Sequence, residues 1–160
     1  MLRHVEYHET RKLNVTRRIA ETERLMMTRR KRMNPPTDDQ LTAAFEEATA
    51  GGPDHLSVEN RDLYLIEDFI LEWEDGGLAE VLYDCLPDFG LLKSTVDAMK
   101  RHGLTELAAI LAQAVEIFGD YREMNPPSPW RAVLERYDPT GKLAELDARI
   151  RSLPNYGLAQ

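Results

Sequence analysis

His4 and His8 stand four residues apart, the spacing with which two imidazoles on one helix face can grip a zinc ion. Glu6 does not sit where a metalloprotease His-Glu-x-x-His motif needs it, and no third ligand is evident. His55 and His102 fall near predicted loops and helix ends, where a cationic ring can suit a helix C-terminus. Cys85 is the only cysteine, which excludes an internal disulfide and any cysteine-based metal cluster. It reads as a small buried apolar residue. No Ser-His-Asp or Cys-His arrangement can be argued from spacing, and no glycine-rich phosphate loop follows a strand. The sequence therefore assigns no catalytic residue, no metal and no cofactor, and a non-enzymatic protein is expected.

Charge is the more informative chemistry. Residues 67–88 hold eight acidic side chains, Glu67, Asp68, Glu72, Glu74, Asp75, Glu80, Asp84 and Asp88, and no Lys or Arg. A solvated face usually mixes both signs for local pairing, so this strip reads as a partner-binding surface. Over the whole chain the net charge is -8, and it divides unevenly. Residues 1–33 carry ten Lys/Arg against four Glu, or +6, whereas residues 34–160 carry ten against 24 acids, or -14. Acidic bodies avoid DNA and attract basic proteins. The basic cluster Arg29-Arg30-Lys31-Arg32, with Arg24 and Arg17-Arg18 behind it, would draw nucleic acid, an anionic surface or an acidic protein. Residues 9–33 contain no aromatic side chain for base stacking, which argues against single-strand binding and for a solvated or protein-docked arm.

Helices must carry these groups. Residues 3–33 lack Gly and Pro and read as one long helix with a weak apolar stripe, ended by Asn34-Pro35-Pro36. Thr37 caps a helix to about Ala48 with Leu41, Ala44 and Phe45 inward. Leu56 to Asp75 reads as the central helix, its core face formed by Leu63, Ile66, Ile70 and Trp73 with Phe69 alongside. Gly76-Gly77 supplies the positive-φ turn into a short helix bearing Val81, Leu82 and Cys85. A helix over 90–102 ends at Gly103. Thr105 caps the next, with Leu107, Ile110, Leu111, Ala114 and Phe118 inward. Ser128-Pro129 opens another with proline in the first helical position, and the last spans Lys142 to Leu153. No stretch alternates with period two, so the fold is all-α: a basic helical arm over 1–36 and a compact multi-helix acidic domain over 37–160. No run approaches membrane-spanning length, and Met1 to Glu6 lacks an apolar signal core. With a lone cysteine this fits a reducing cytoplasm and no membrane partner.

Glu72, Glu74, Gly76, Gly77 and Tyr83 can be set against a Glu-x-Glu-Val-x-Asn-Gly-Gly-Phe-x-Gln-Tyr/Phe signature. Arg61 heads the same helix before an apolar run, and Ala98, Gly103, Leu104, Ala108, Ala109, Ala114 and Phe118 follow an Ala/Gly-rich pattern. Leu146, Asp147 and Ile150 approximate a closing Leu-Asp-x-x-Phe. On these residues the chain, over about 56–119 and 146–150, resembles the small acidic all-helical DNA-mimic protein family. It departs at Asp75, Leu78 and Glu80, where that family has Asn, Phe and Gln, and residues 1–36 have no counterpart there. The resemblance implies a homodimer whose acidic surface imitates duplex DNA and occupies the DNA-binding face of a regulator. One helix with carboxylates at i, i+4 presents a charge only every ~6 Å, against one per ~1.7 Å of duplex, so mimicry needs several acidic edges or two copies. The alternative expectation is a nucleic-acid-associated or scaffold protein acting through the N-terminal helix.

Overall fold

The computed structural model describes residues 34–86, 88–119, 121 and 129–159. The expected basic arm, with Arg24, Arg29, Arg30, Lys31 and Arg32, and the His4/His8 pair lie outside these residues. Six α-helices and no β-strand occur among the described residues: α1 Asp38–Gly51, α2 Val58–Asp84, α3 Gly90–Arg101, α4 Thr105–Ile117, α5 Trp130–Tyr137 and α6 Lys142–Ser152. The all-α expectation holds.

Local chemistry sets where each helix starts. Thr37 and Gln40 form a reciprocal capping box at α1, the Thr37 N–H donating to Gln40 Oε1 at 2.9 Å. Asp38 and Asp39 follow in the first turn, where the helix dipole favours carboxylates. Ser57 caps α2 by accepting from the Asn60 N–H at 3.1 Å, so this helix begins two residues later than Leu56. Both oxygens of Asp138 accept the first amides of α6, from Lys142 at 2.6 Å and Leu143 at 2.9 Å, a cap formed across the left-handed Gly141. Two expected starts are displaced by one residue. Thr105 is the first helical residue of α4 behind Leu104 and caps nothing, while Pro129 precedes α5 as its N-cap and Trp130 leads the helix.

Helix α2 is the axis of the domain. Leu63, Ile66, Phe69, Ile70 and Trp73 are buried along it, and α1, α3, α4 and α6 all pack against it. Helices α3 and α4 form a hairpin through Gly103 at φ 76°. Ile66, Leu78, Leu82, Met99, Leu107, Ile110, Leu111, Leu146 and Ile150 are sealed between these helices. The short helix α5 is held by aromatic contacts: Trp130 stacks on Phe118 with ring centroids 5.7 Å apart, and Tyr137 tilts against both Phe118 and Tyr121. The ends of the domain meet, the Ala159 N–H donating to the Pro36 carbonyl at 2.9 Å.

One charged cluster is internal. Asp62 on α2 accepts two hydrogen bonds from the Arg101 guanidinium at the end of α3. His102, only 2% exposed, lies beside them with Nε2 unbonded and 3.8 Å from the Asp62 carboxylate. Burial lowers the His102 pKa, with Arg101 pushing the same way while Asp62 and Glu59 oppose it. The expectation of a cationic ring favouring a helix end is therefore corrected for His102: the ring is buried, which disfavours its charged form because that charge would lack hydration. The sign follows. The unfolded ring titrates near 6.5 and the folded one below that, so stability from this site is present above pH ~6.5 and lost as pH falls towards the folded value. An NMR titration of the His102 ring protons should give a midpoint below 6.5, and a midpoint above it would contradict the assignment.

Candidate interaction surface

The acidic strip is built around a break in α2. Gly77 adopts φ 75° and ψ -178° inside the helix, so the axis is interrupted and restarts at Leu78. Among the two glycines only Gly77 has positive φ. Gly76 is required for another reason, since a Cβ there would fall 2.6 Å from the Cβ of Glu80. The restarted helix needs a cap, and α6 supplies it: Asp147 Oδ1 accepts from the Leu78 N–H at 3.0 Å and from Trp73 Nε1 at 2.7 Å. Trp73 is thus a core residue, as expected, with its one polar atom satisfied. Tyr156 packs edge-on against Trp73 at 5.6 Å and donates its hydroxyl to Glu74, which pushes the Tyr156 pKa up to about 12. The Arg151 guanidinium lies over the Trp73 ring at 5.9 Å. This clamp was not read from the sequence. Its signal was the Leu146-Asp147 pair, read there only as a closing motif.

The clamp divides the eight carboxylates. Glu72, Glu74, Asp75, Glu80, Asp84 and Asp88 are exposed and Asp68 is half-buried. Glu67 is 9% exposed, so it belongs to the packed side of α2 and is removed from the expected binding surface. Burial raises its pKa, with Asp38 and Glu74 adding repulsion. Glu74 points the same way round the helix and is engaged by Tyr156.

Four of the remaining acids, Asp68, Glu72, Asp84 and Asp88, gather around Cys85. Burial raises the Glu72 pKa, and the Asp68 and Asp84 carboxylates raise it further. Asp68 is also raised by burial, partly offset by a hydrogen bond from the Tyr64 hydroxyl. Half-buried Cys85 lies within the same field. Desolvation first, then Glu72, Asp84, Asp68 and Asp88, push its thiol up to about 11, so it stays protonated and unreactive at neutral pH. Asp84, from beyond Gly77, thus lies within the field of Glu72, and Asp84 and Asp88 share the surroundings of Cys85 with Asp68 and Glu72. Among the described residues no ion pair joins any of the eight strip carboxylates to a cation. Nor do the described residues bring three His, Cys, Asp or Glu side chains together as a metal site. No helix among them is long and apolar enough to cross a membrane.

Counted strictly from Gly76-Gly77, the signature's two glutamates fall on Ile70 and Glu72 and its final aromatic on Val81. Glu72 and the glycine pair keep register, whereas Glu74 and Tyr83 do not. No curated protein and no solved structure matches the chain. A family described as DMP19-like protein does match, over residues 54–158, a span that runs from the turn before α2 through the Asp147 clamp to the C-terminal 3-10 turn that carries Tyr156. With 105 of its 160 residues inside that match, the chain belongs to the DMP19-like protein family.

Proposed function

We propose that the protein is a non-enzymatic binding module whose acidic surface, formed by Asp68, Glu72, Asp75, Glu80, Asp84 and Asp88, occupies the DNA-binding face of a basic regulator. The observation that carries this reading is the gathering of like charge, with no ion pair to a cation among the described residues. Asp68 and Asp84 both oppose the ionisation of Glu72, so the arrangement works against the fold's own stability. Such repulsion is relieved when a cationic partner arrives. The acids lie on two helical segments set at an angle by Gly77, which offers more than one charged edge, as imitation of a duplex requires. A homodimer would add a second set and bring the charge spacing nearer that of DNA. Light scattering giving twice the 18.3 kDa chain mass would support that assembly, and a monomer mass at tens of micromolar would remove it.

Charge reversal tests the surface. Glu72→Lys combined with Asp84→Lys should weaken binding to a cationic partner on the order of tenfold and flatten its salt dependence, because exposed charges are screened over ~8 Å at physiological ionic strength. Melting should be unchanged or slightly raised, since both side chains are exposed and repel each other. Unaltered affinity in a folded double variant would remove the acidic surface from the account.

A further inference from the structure

Leu71 is 42% exposed on α2, and the residues one turn away along the helix are all acidic: Asp68 and buried Glu67 before it, Glu74 and Asp75 after it. One exposed leucine means little by itself. This one contributes little to its own core, yet the side chains beside it, exposed Glu72 and Asp75 and half-buried Asp68, are carboxylates. Two turns earlier on the same line stands Tyr64, half-buried, stacked on Phe45 at 5.8 Å and hydrogen-bonded to Asp68. Leu71 and Tyr64 therefore form an apolar line with Asp68, Glu72 and Asp75 beside it and Arg61 one turn before Tyr64. Surface positions that serve only solubility favour charged helix formers such as Glu or Lys.

Resting on the proposed acidic surface, we infer that this face docks a basic amphipathic helix, with Leu71 as its apolar anchor. The occupant's Arg or Lys side chains pair with Asp68, Glu72 and Asp75, and an apolar side chain between them covers Leu71. Among the described residues the charges beside Leu71 are half-buried Asp68 and exposed Glu72 and Asp75, with Arg61 more than two turns away, so the complementarity favours a basic helix over an acidic one. Apolar burial at the centre of a charged rim adds affinity that salt does not screen. A phosphate backbone has no such centre, so Leu71 separates recognition of this protein from recognition of DNA by the same partner.

Two synthetic helical peptides of equal length and positive charge test this on the full-length protein. One has Arg at i, i+4 flanking a Leu line, and the other has Gln in place of each Leu. Fluorescence anisotropy at about 0.15 M salt should show the Leu peptide binding roughly tenfold tighter. Leu71→Gln should abolish most of that preference without lowering the melting temperature or changing the salt slope. Equal binding of the two peptides, or a preference that survives Leu71→Gln, overturns the anchor. If the peptides bind equally but both are weakened by Glu72→Lys with Asp75→Lys, the acidic surface stands and only the anchor falls. If that reversal changes neither, or neither peptide binds, the acidic surface falls with it.

Discussion

Replacing Gly77 with valine is expected to destabilise the domain by about 2–4 kcal/mol, measured by urea or thermal unfolding. At φ 75° and ψ -178° the residue occupies a region of backbone space that side chains exclude. A Cβ built there would also approach Asp147 Oδ2 at 3.0 Å, pressing on the cap of the second helical segment. Alanine should already show most of the loss, because the conflict begins at Cβ rather than at the branch. The effect should extend to the surface, since Asp84 acts on Glu72 across the break in α2. A Gly77→Ala protein with an unchanged midpoint would mean that the kink is not required.

Removing the clamp from the other side should be comparably severe. Asp147→Ala strands two donors, the Trp73 indole N–H and the Leu78 amide. Each is bonded to a charged acceptor in a part-buried position. With hydrogen bonds to charged groups contributing about 1.5–3 kcal/mol each, a loss of about 2–4 kcal/mol is expected after partial rehydration. Asp147→Asn retains a carbonyl oxygen and should lose less. The cycle with Trp73→Phe isolates the pair: the double variant should lose clearly less than the sum of the singles, because the indole donor is orphaned only when it is present. Strict additivity would assign the loss to something other than this bond.

The helices were legible because their apolar residues recur at helical spacing. Leu63, Ile66, Ile70 and Trp73 mark the core face of α2, and all four are buried. Helix starts were less legible where capping is not local. Thr105 looks like a cap by residue type, yet the structure uses Leu104 and leaves the hydroxyl near the Gly103 carbonyl. The site was legible as a run of like charge but not as a surface. Glu67 and Asp68 are adjacent in sequence and differ in fate because successive residues on a helix turn to different sides. The clamp beside the strip was hidden because its partners are remote: Asp147 lies 74 residues from Trp73, and Tyr156 lies 82 from Glu74. His102 likewise looked like a helix-end cation, and only the packing of the domain shows that the ring is buried, which lowers its pKa.

On the proposed function, the acidic surface competes with DNA for one face of a basic regulator. The most direct measurement takes a DNA-binding regulator that this protein engages and follows the regulator's affinity for its operator duplex as the protein is titrated in. Competition for one face predicts that the apparent Kd for DNA rises in proportion to the concentration of free protein, without a plateau, and that the Glu72→Lys, Asp84→Lys variant loses this effect. A ternary complex in which regulator, duplex and protein bind together with no mutual loss of affinity would contradict the claim.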